Sequence, residues 1–479
     1  MKKYLAIFGA AVLMMALAAP AMAQFTSWGH MEVQTIWEKN PNLNTSTYMY
    51  TQPSVPSSQI GSEMTWRHVA ERYRFYLQYG DPKTVRAVIG FEADSTDWGE
   101  ARTSGTVTGG KMGAYTADTV QLEIKHAYLD FMIPNSPIQV TAGIQPWVYG
   151  GRLLINNDGA GVTVAANFAP HKLTAGWLRF HDQNRNTYTV ADGYILDWKM
   201  VQQAFDLNVY GAYVNDLWSG WQPTFAFGYD VATIPVVRNF NQNTYYGGVS
   251  GGFRPGNWEF FAHGLYAGGK REFKTGTKVN DTDLSAYALE GSAKYKIGPG
   301  MAVIGEGFYS SGNDANDQDK TSYFPVAEAS EGRSIFGNDR TVFFWMNAAQ
   351  MGYYHNFQID FSGMWYGRGA FEFSPTPWVR MILNYLYIGD TSKGTPGTFV
   401  NKVSNTTMSK VVNSAKGSRQ DEDKSFIGQE INLITTLNIY KNFVYNVGLY
   451  YFIAGDVWDT KTLQGKDSYG INTKLQYAF

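Results

Sequence analysis

The chain has no cysteine among its 479 residues, only 17 prolines, and charged residues make up just 17% of it. Without cysteine there are no disulfides, no thiol nucleophile and no thiolate metal site, so an exported form of this chain is held together by hydrogen bonds and packing. Beyond the N-terminus no run of eighteen apolar residues occurs, so no further helix is apolar enough to span a bilayer. Charge of one sign is also lacking. The 39 basic and 41 acidic residues nearly cancel, which gives no electrostatic footprint for nucleic acid.

Recognisable enzymatic chemistry is thin. The seven histidines, His30, His68, His126, His171, His181, His263 and His355, stand singly and make no metal-spaced pair. Ser310 to Lys320 (SSGNDANDQDK) has the acidic density of a calcium loop, but counting from Asp314 places Pro325 where such a loop needs its closing Glu. No cofactor, no metal and no catalytic set is expected.

What the chain does have is aromatic residues (16%, with 32 Tyr) and 50 glycines. The final eleven residues, YGINTKLQYAF, alternate without a break. Tyr469, Ile471, Thr473, Leu475, Tyr477 and Phe479 fall on one face; Gly470, Asn472, Lys474, Gln476 and Ala478 fall on the other. That is one apolar and one polar face over the length of a tilted membrane-spanning strand. The ending also resembles the C-terminal strand of bacterial outer-membrane barrels. The resemblance implies that Tyr477 and Phe479 belong to an insertion signal read by the barrel-assembly machinery. At the other end, Lys2 and Lys3, an apolar stretch from Leu5 to Ala19, and Ala21-Met22-Ala23 predict a signal peptide over residues 1 to 23.

Between these ends one unit repeats: two alternating segments, a tight turn, then a long polar loop. Tyr73, Phe75, Leu77 and Tyr79 oppose Arg72, Arg74, Tyr76 and Gln78. After Asp81-Pro82 the pattern resumes, with Val85, Ala87, Ile89 and Phe91 opposing Arg86, Glu92 and Asp94. Further turns are predicted near Gln202, from the break in the alternation, and at 134–137, 169–170, 255–257, 298–300, 375–377 and 440–442, where Pro, Gly or Asn cannot cheaply continue a paired strand. Eight tight turns and nine long loops predict a single domain over residues 24–479: an all-β, antiparallel, up-and-down transmembrane barrel. It would have eighteen strands, or sixteen if the aromatic stretches in 217–245 and 320–366 are loop. The turns would be periplasmic and the loops extracellular.

A barrel this wide cannot be filled by its own side chains, so its polar face lines water. The expected function is passive diffusion of small hydrophilic solutes and ions through the outer membrane. A substrate-selective channel for anions or sugars is the alternative, and an adhesin or enzyme a weaker one. The run Phe25-Thr-Ser-Trp-Gly-His30, with Glu71-Arg-Tyr-Arg-Phe75, Gly90-Phe-Glu-Ala-Asp94 and the closing strand, resembles the homotrimeric outer-membrane porins of sulfate-reducing bacteria. The resemblance spans the chain and implies three separate pores per assembly, with lipid and lipopolysaccharide around them. By analogy with porins, an inward-folded constriction loop is expected near 145–158. The pore-lining candidates are Arg72, Arg74, Arg86, Glu92, Asp94 and Lys125 from the wall, with Arg152 and Asp158 from the loop. Trp147 and Tyr149 are candidates for an aromatic track for sugars, or simply for packing the loop on the wall.

Overall fold

The computed structural model describes residues 25–40, 43, 65–98, 122–151, 153–182, 190–216, 240–273, 281–314, 317, 319–322, 324, 337–343, 363–393, 397–401, 406–410, 424–459 and 464–479. The expected signal peptide lies outside them. Eighteen strands form the wall: β1 (Phe25–Lys39), β2 (Thr65–Gly80), β3 (Val85–Asp97), β4 (Glu123–Met132), β5 (Ile138–Tyr149), β6 (Ile155–Phe168), β7 (His171–Asp182), β8 (Val190–Val201), β9 (Phe205–Asp216), β10 (Phe240–Phe253), β11 (Trp258–Phe273), β12 (Thr282–Gly298), β13 (Met301–Ser310), β14 (Met364–Thr376), β15 (Val379–Asp390), β16 (Phe426–Tyr440), β17 (Phe443–Ala454) and β18 (Ser468–Ala478). Each pairs antiparallel with its neighbour in sequence, and β1 pairs with β18, so the sheet is a closed eighteen-stranded barrel rather than a sixteen-stranded one.

The connections alternate in length as the turn residues require. Asp81 opens the β2–β3 turn, its carboxylate accepting the Lys83 amide at 2.9 Å. Asn135 and Asn442 take positive φ at the tips of the β4–β5 and β16–β17 turns, a conformation asparagine tolerates better than most residues. All eight tight connections lie at one end of the barrel. At the other end lie the longer connections, together with the short hairpin Gly397–Asn401 and Thr406–Lys410.

Side-chain alternation sets the two faces. On β16, Glu430 and Asn432 are buried inward while Ile431 is half exposed outside; on β18, Asn472 and Lys474 are buried while Tyr469 and Tyr477 are exposed. The same holds on β2, where Arg72, Tyr76 and Gln78 are covered and Tyr73 and Tyr79 are not. The exposed residues Leu129, Leu196, Val249, Leu289, Leu383 and Ile431 sit on strands all round the ring. An apolar exterior this extensive is far larger than a soluble monomer carries and is the surface a bilayer covers.

The seam is closed by backbone and by one ring. Gly29 and Phe479 exchange amide-to-carbonyl hydrogen bonds of 3.0 Å each way. The Phe479 ring lies over Gly29, stacked on Tyr73 and Phe75 at 6.2 and 6.4 Å, with Tyr477 beside it. A Cβ at position 29 would collide with the Arg74 carbonyl and stand 2.8 Å from the Phe479 ring. Gly29→Ala is therefore expected to destabilise the closed barrel by about 1–3 kcal/mol, the usual cost of overpacking. Urea unfolding in lipid vesicles measures this, and an unchanged midpoint would show that the seam has slack.

Candidate functional site

The cationic residues of β2–β4 meet on the inner wall. Glu92 of β3 is buried and forms ion pairs with three cations: Arg72 Nε at 3.0 Å, Arg74 Nη2 at 2.7 Å and Lys125 Nζ at 2.7 Å. Lys125 also reaches Asp158 at 2.6 Å. Nearer the tight-turn end, Arg86 pairs with Asp130 at 2.7 Å and donates to Gln78 at 2.9 Å, while Gln139 donates to Asp130. Six of the eight candidate residues therefore lie in one inner-wall region. The Asp94 side chain and Arg152 lie outside the described residues.

Two members of this cluster are not evident from sequence. Asp130 follows the alternation of β4, but its role depends on Arg86 being directly opposite it in register. His126 has a subtler origin. The β3–β4 register shifts between Gly90 and Phe91, so Lys125 is an extra residue in the ladder. Simple alternation would put Lys125 and His126 on opposite faces; the bulge turns both inward, and His126 Nε2 lies 2.7 Å from Asp158.

In the segment expected as a constriction loop, residues 145–149 and 155–158 form the two paired arms of a ribbon. Pairing of β4 with β5 stops at Ala127–Ile144 and pairing of β6 with β7 stops at Ala160–Arg179, yet β5 and β6 stay paired up to Tyr149–Ile155. The ribbon has left the wall on both sides. Its tip rests on the inner surface of β9 and β11, where Gly150 abuts the Tyr210 ring and Gly151 the His263 ring. One face carries Asp158 back to Lys125 and His126. The other buries Trp147, whose indole N–H donates to the Gly159 carbonyl at 3.0 Å and whose ring covers Gly161 and Gly176. Trp147 thus packs the ribbon down and offers no face to a passing solute; Tyr149 is partly buried, 6.1 Å from it.

A second inward segment, Gly337–Phe343, belongs to the long β13–β14 connection and was not foreseen from the sequence. Its first four residues form one helical turn. Arg340 pairs with Glu290 at 2.8 Å and with Glu306 at 2.7 Å, and Arg368 donates to the Asp339 carbonyl at 2.9 Å. Burial opposes the charge of Arg340, but the surrounding Tyr366, Glu306 and Glu290 hold its pKa above the ordinary arginine value. Glu430 accepts the Thr341 hydroxyl and the amides of Val342 (2.7 Å) and Phe343 (3.3 Å), while Phe343 stacks on Phe452 at 4.5 Å. The two inward segments share one stretch of wall. His263, under the ribbon tip, contacts Tyr210 at 2.6 Å and lies 3.9 Å from Glu290, which in turn holds Arg340.

Among the described residues no group of three or more His, Asp or Glu is placed to hold a metal ion. The run Gly248-Val-Ser-Gly-Gly252 has the spacing of a nucleophile elbow. It lies near the C-terminal end of β10, paired on both sides, with no strand-to-helix turn to present Ser250.

Replacing Glu430 with alanine leaves the Val342 and Phe343 amides without their acceptor, at a cost of about 1–3 kcal/mol. Hydrogen exchange at those two amides is expected to rise while β16 and β17 stay protected. Unchanged exchange would mean that Phe343 packing alone holds the segment.

No protein-family model matches the chain, and no curated protein matches it. Solved structures with a similar fold include Pseudomonas aeruginosa OccK5 (OpdH), 11% identical with a TM-score of 0.49, covering 95% of this chain and 98% of that one. A BenF-like porin from Pseudomonas fluorescens Pf-5 is 8% identical with a TM-score of 0.47, covering 95% and 98%. Pseudomonas aeruginosa OccK2 (OpdF) in complex with glucuronate is 9% identical with a TM-score of 0.49, again covering 95% and 98%.

Proposed function

We propose that this protein is an outer-membrane porin, a water-filled channel for passive diffusion of small hydrophilic solutes and ions. The observation that carries the reading is the closed ring of eighteen strands with apolar side chains outside and, on the inner wall, ionic and polar clusters beside buried apolar residues that pack under the inward segments. A ring of that circumference is too wide for wall side chains to fill, and a polar interior holds water. In this reading the ribbon within 145–158 and the segment Gly337–Phe343 narrow the channel. Arg72, Arg74, Arg86, Glu92, Lys125 and Asp158 line the passage, with Asp94 and Arg152 as further candidates. Tight turns face the periplasm and long loops the exterior.

The resemblance to porins of sulfate-reducing bacteria supports a homotrimer, with lipopolysaccharide beside the outer leaflet. Export through a cleaved leader of residues 1 to 23 fits the sequence, and the strand ending in Tyr477 and Phe479 would be engaged by the barrel-assembly machinery. Planar-bilayer recording tests the reading. Large ohmic openings in groups of three are expected from folded protein. Single-step openings would overturn the trimer alone, and absence of conductance would overturn the channel.

A further inference from the structure

We infer that the channel favours small anions over cations, because ion pairs on its inner wall turn their cationic ends toward the lumen and bury their carboxylates. This rests on the porin reading above. The formal charges nearly cancel, so selectivity depends on which end of each pair water reaches. Arg86 is 25% exposed and its partner Asp130 only 2%. Lys199 is 43% exposed against 2% for Asp197. Arg340 is 22% exposed against 2% for Glu306, and Arg380 38% against 14% for Glu372. Arg74 with Glu92 and Lys294 with Glu372 are ordered the same way.

The asymmetry has a chemical cause. A carboxylate on a short side chain sits close to the backbone of its strand, whereas arginine and lysine carry their charge several bonds further inward. Each pair then becomes a dipole with its positive end in the water. At a screening length of about 8 Å the nearer charge dominates what a dissolved ion feels. The pairs also lie on β3, β8, β12, β15 and the inner segment, so the positive ends surround the passage rather than facing an acidic wall across it. The exceptions are specific. Asp158 is 17% exposed against 9% for Lys125, and Asp339 is slightly more exposed than Arg380.

The experiment is the reversal potential of the purified, folded full chain in a potassium chloride gradient. The expected sign is that of chloride preference. Two pair-neutralised variants, Arg86→Gln with Asp130→Asn and Lys199→Gln with Asp197→Asn, leave net charge unchanged and strand no buried carboxylate. Each is expected to move the potential toward zero, which an account based on net charge does not allow. Asp158→Asn is expected to move it further toward chloride. A cation preference, or pair-neutralised variants indistinguishable from the parent, overturns the inference while the porin reading stands; folded protein that conducts nothing overturns both.

Discussion

Everything in this molecule depends on one requirement: each backbone N–H and C=O on a strand facing lipid must find a partner within the sheet, because the surroundings offer none. A sheet with open edges fails that requirement and a closed one meets it. The ten register pairs from His30–Ala478 to Lys39–Tyr469 join the last strand to the first. With them in place there is no edge. The number of strands then fixes the circumference, the circumference leaves the interior wet, and a wet interior permits polar residues at every second position. Glycine at position 29 serves this closure, since it lets the terminal phenylalanine lie flat across the seam.

Inside the ring the problem is reversed. Polar groups there are not merely tolerated; many are buried against one another. Glu92 holds three cations, Glu430 is enclosed by donors from Thr341, Val342, Phe343 and Asn432, and Arg368 bridges Glu306 and Asn384. Buried networks of this kind are stable only when their members are satisfied. The ribbon and the inner segment supply part of that satisfaction. Asp158 reaches Lys125 and His126 from the ribbon, and Arg340 reaches Glu290 and Glu306 from the segment. Both insertions are therefore held by charge on one side and by an aromatic, Trp147 or Phe343, on the other.

The parts of this architecture legible in sequence are those governed by local rules. Strict alternation in β2, β16 and β18, and Pro, Gly or Asn at the tight turns, specify strand, face and connection from a few neighbouring residues. The inward direction of Arg72, Arg74, Arg86 and Glu92 follows from the same alternation. What was not legible depends on register or on distant segments. The bulge that turns both Lys125 and His126 inward leaves no local signature. Trp147 reads as a packing residue or, less readily, as a sugar platform until the glycines beneath it, 161 and 176, are placed. Nothing in Gly337–Phe343 announces that its arginine docks on carboxylates from β12 and β13, thirty to fifty residues earlier, or that its backbone amides meet Glu430 nearly ninety residues later.

The pairing of β1 with β18 follows the same antiparallel rule as every other pairing around the ring. The barrel is thus a cycle in which no strand is physically first. A chain joined across the seam and reopened within one of the tight turns, at Asp81 or Asn442, would possess the same neighbours, the same faces and the same interior. Only the order in which the strands were made would differ.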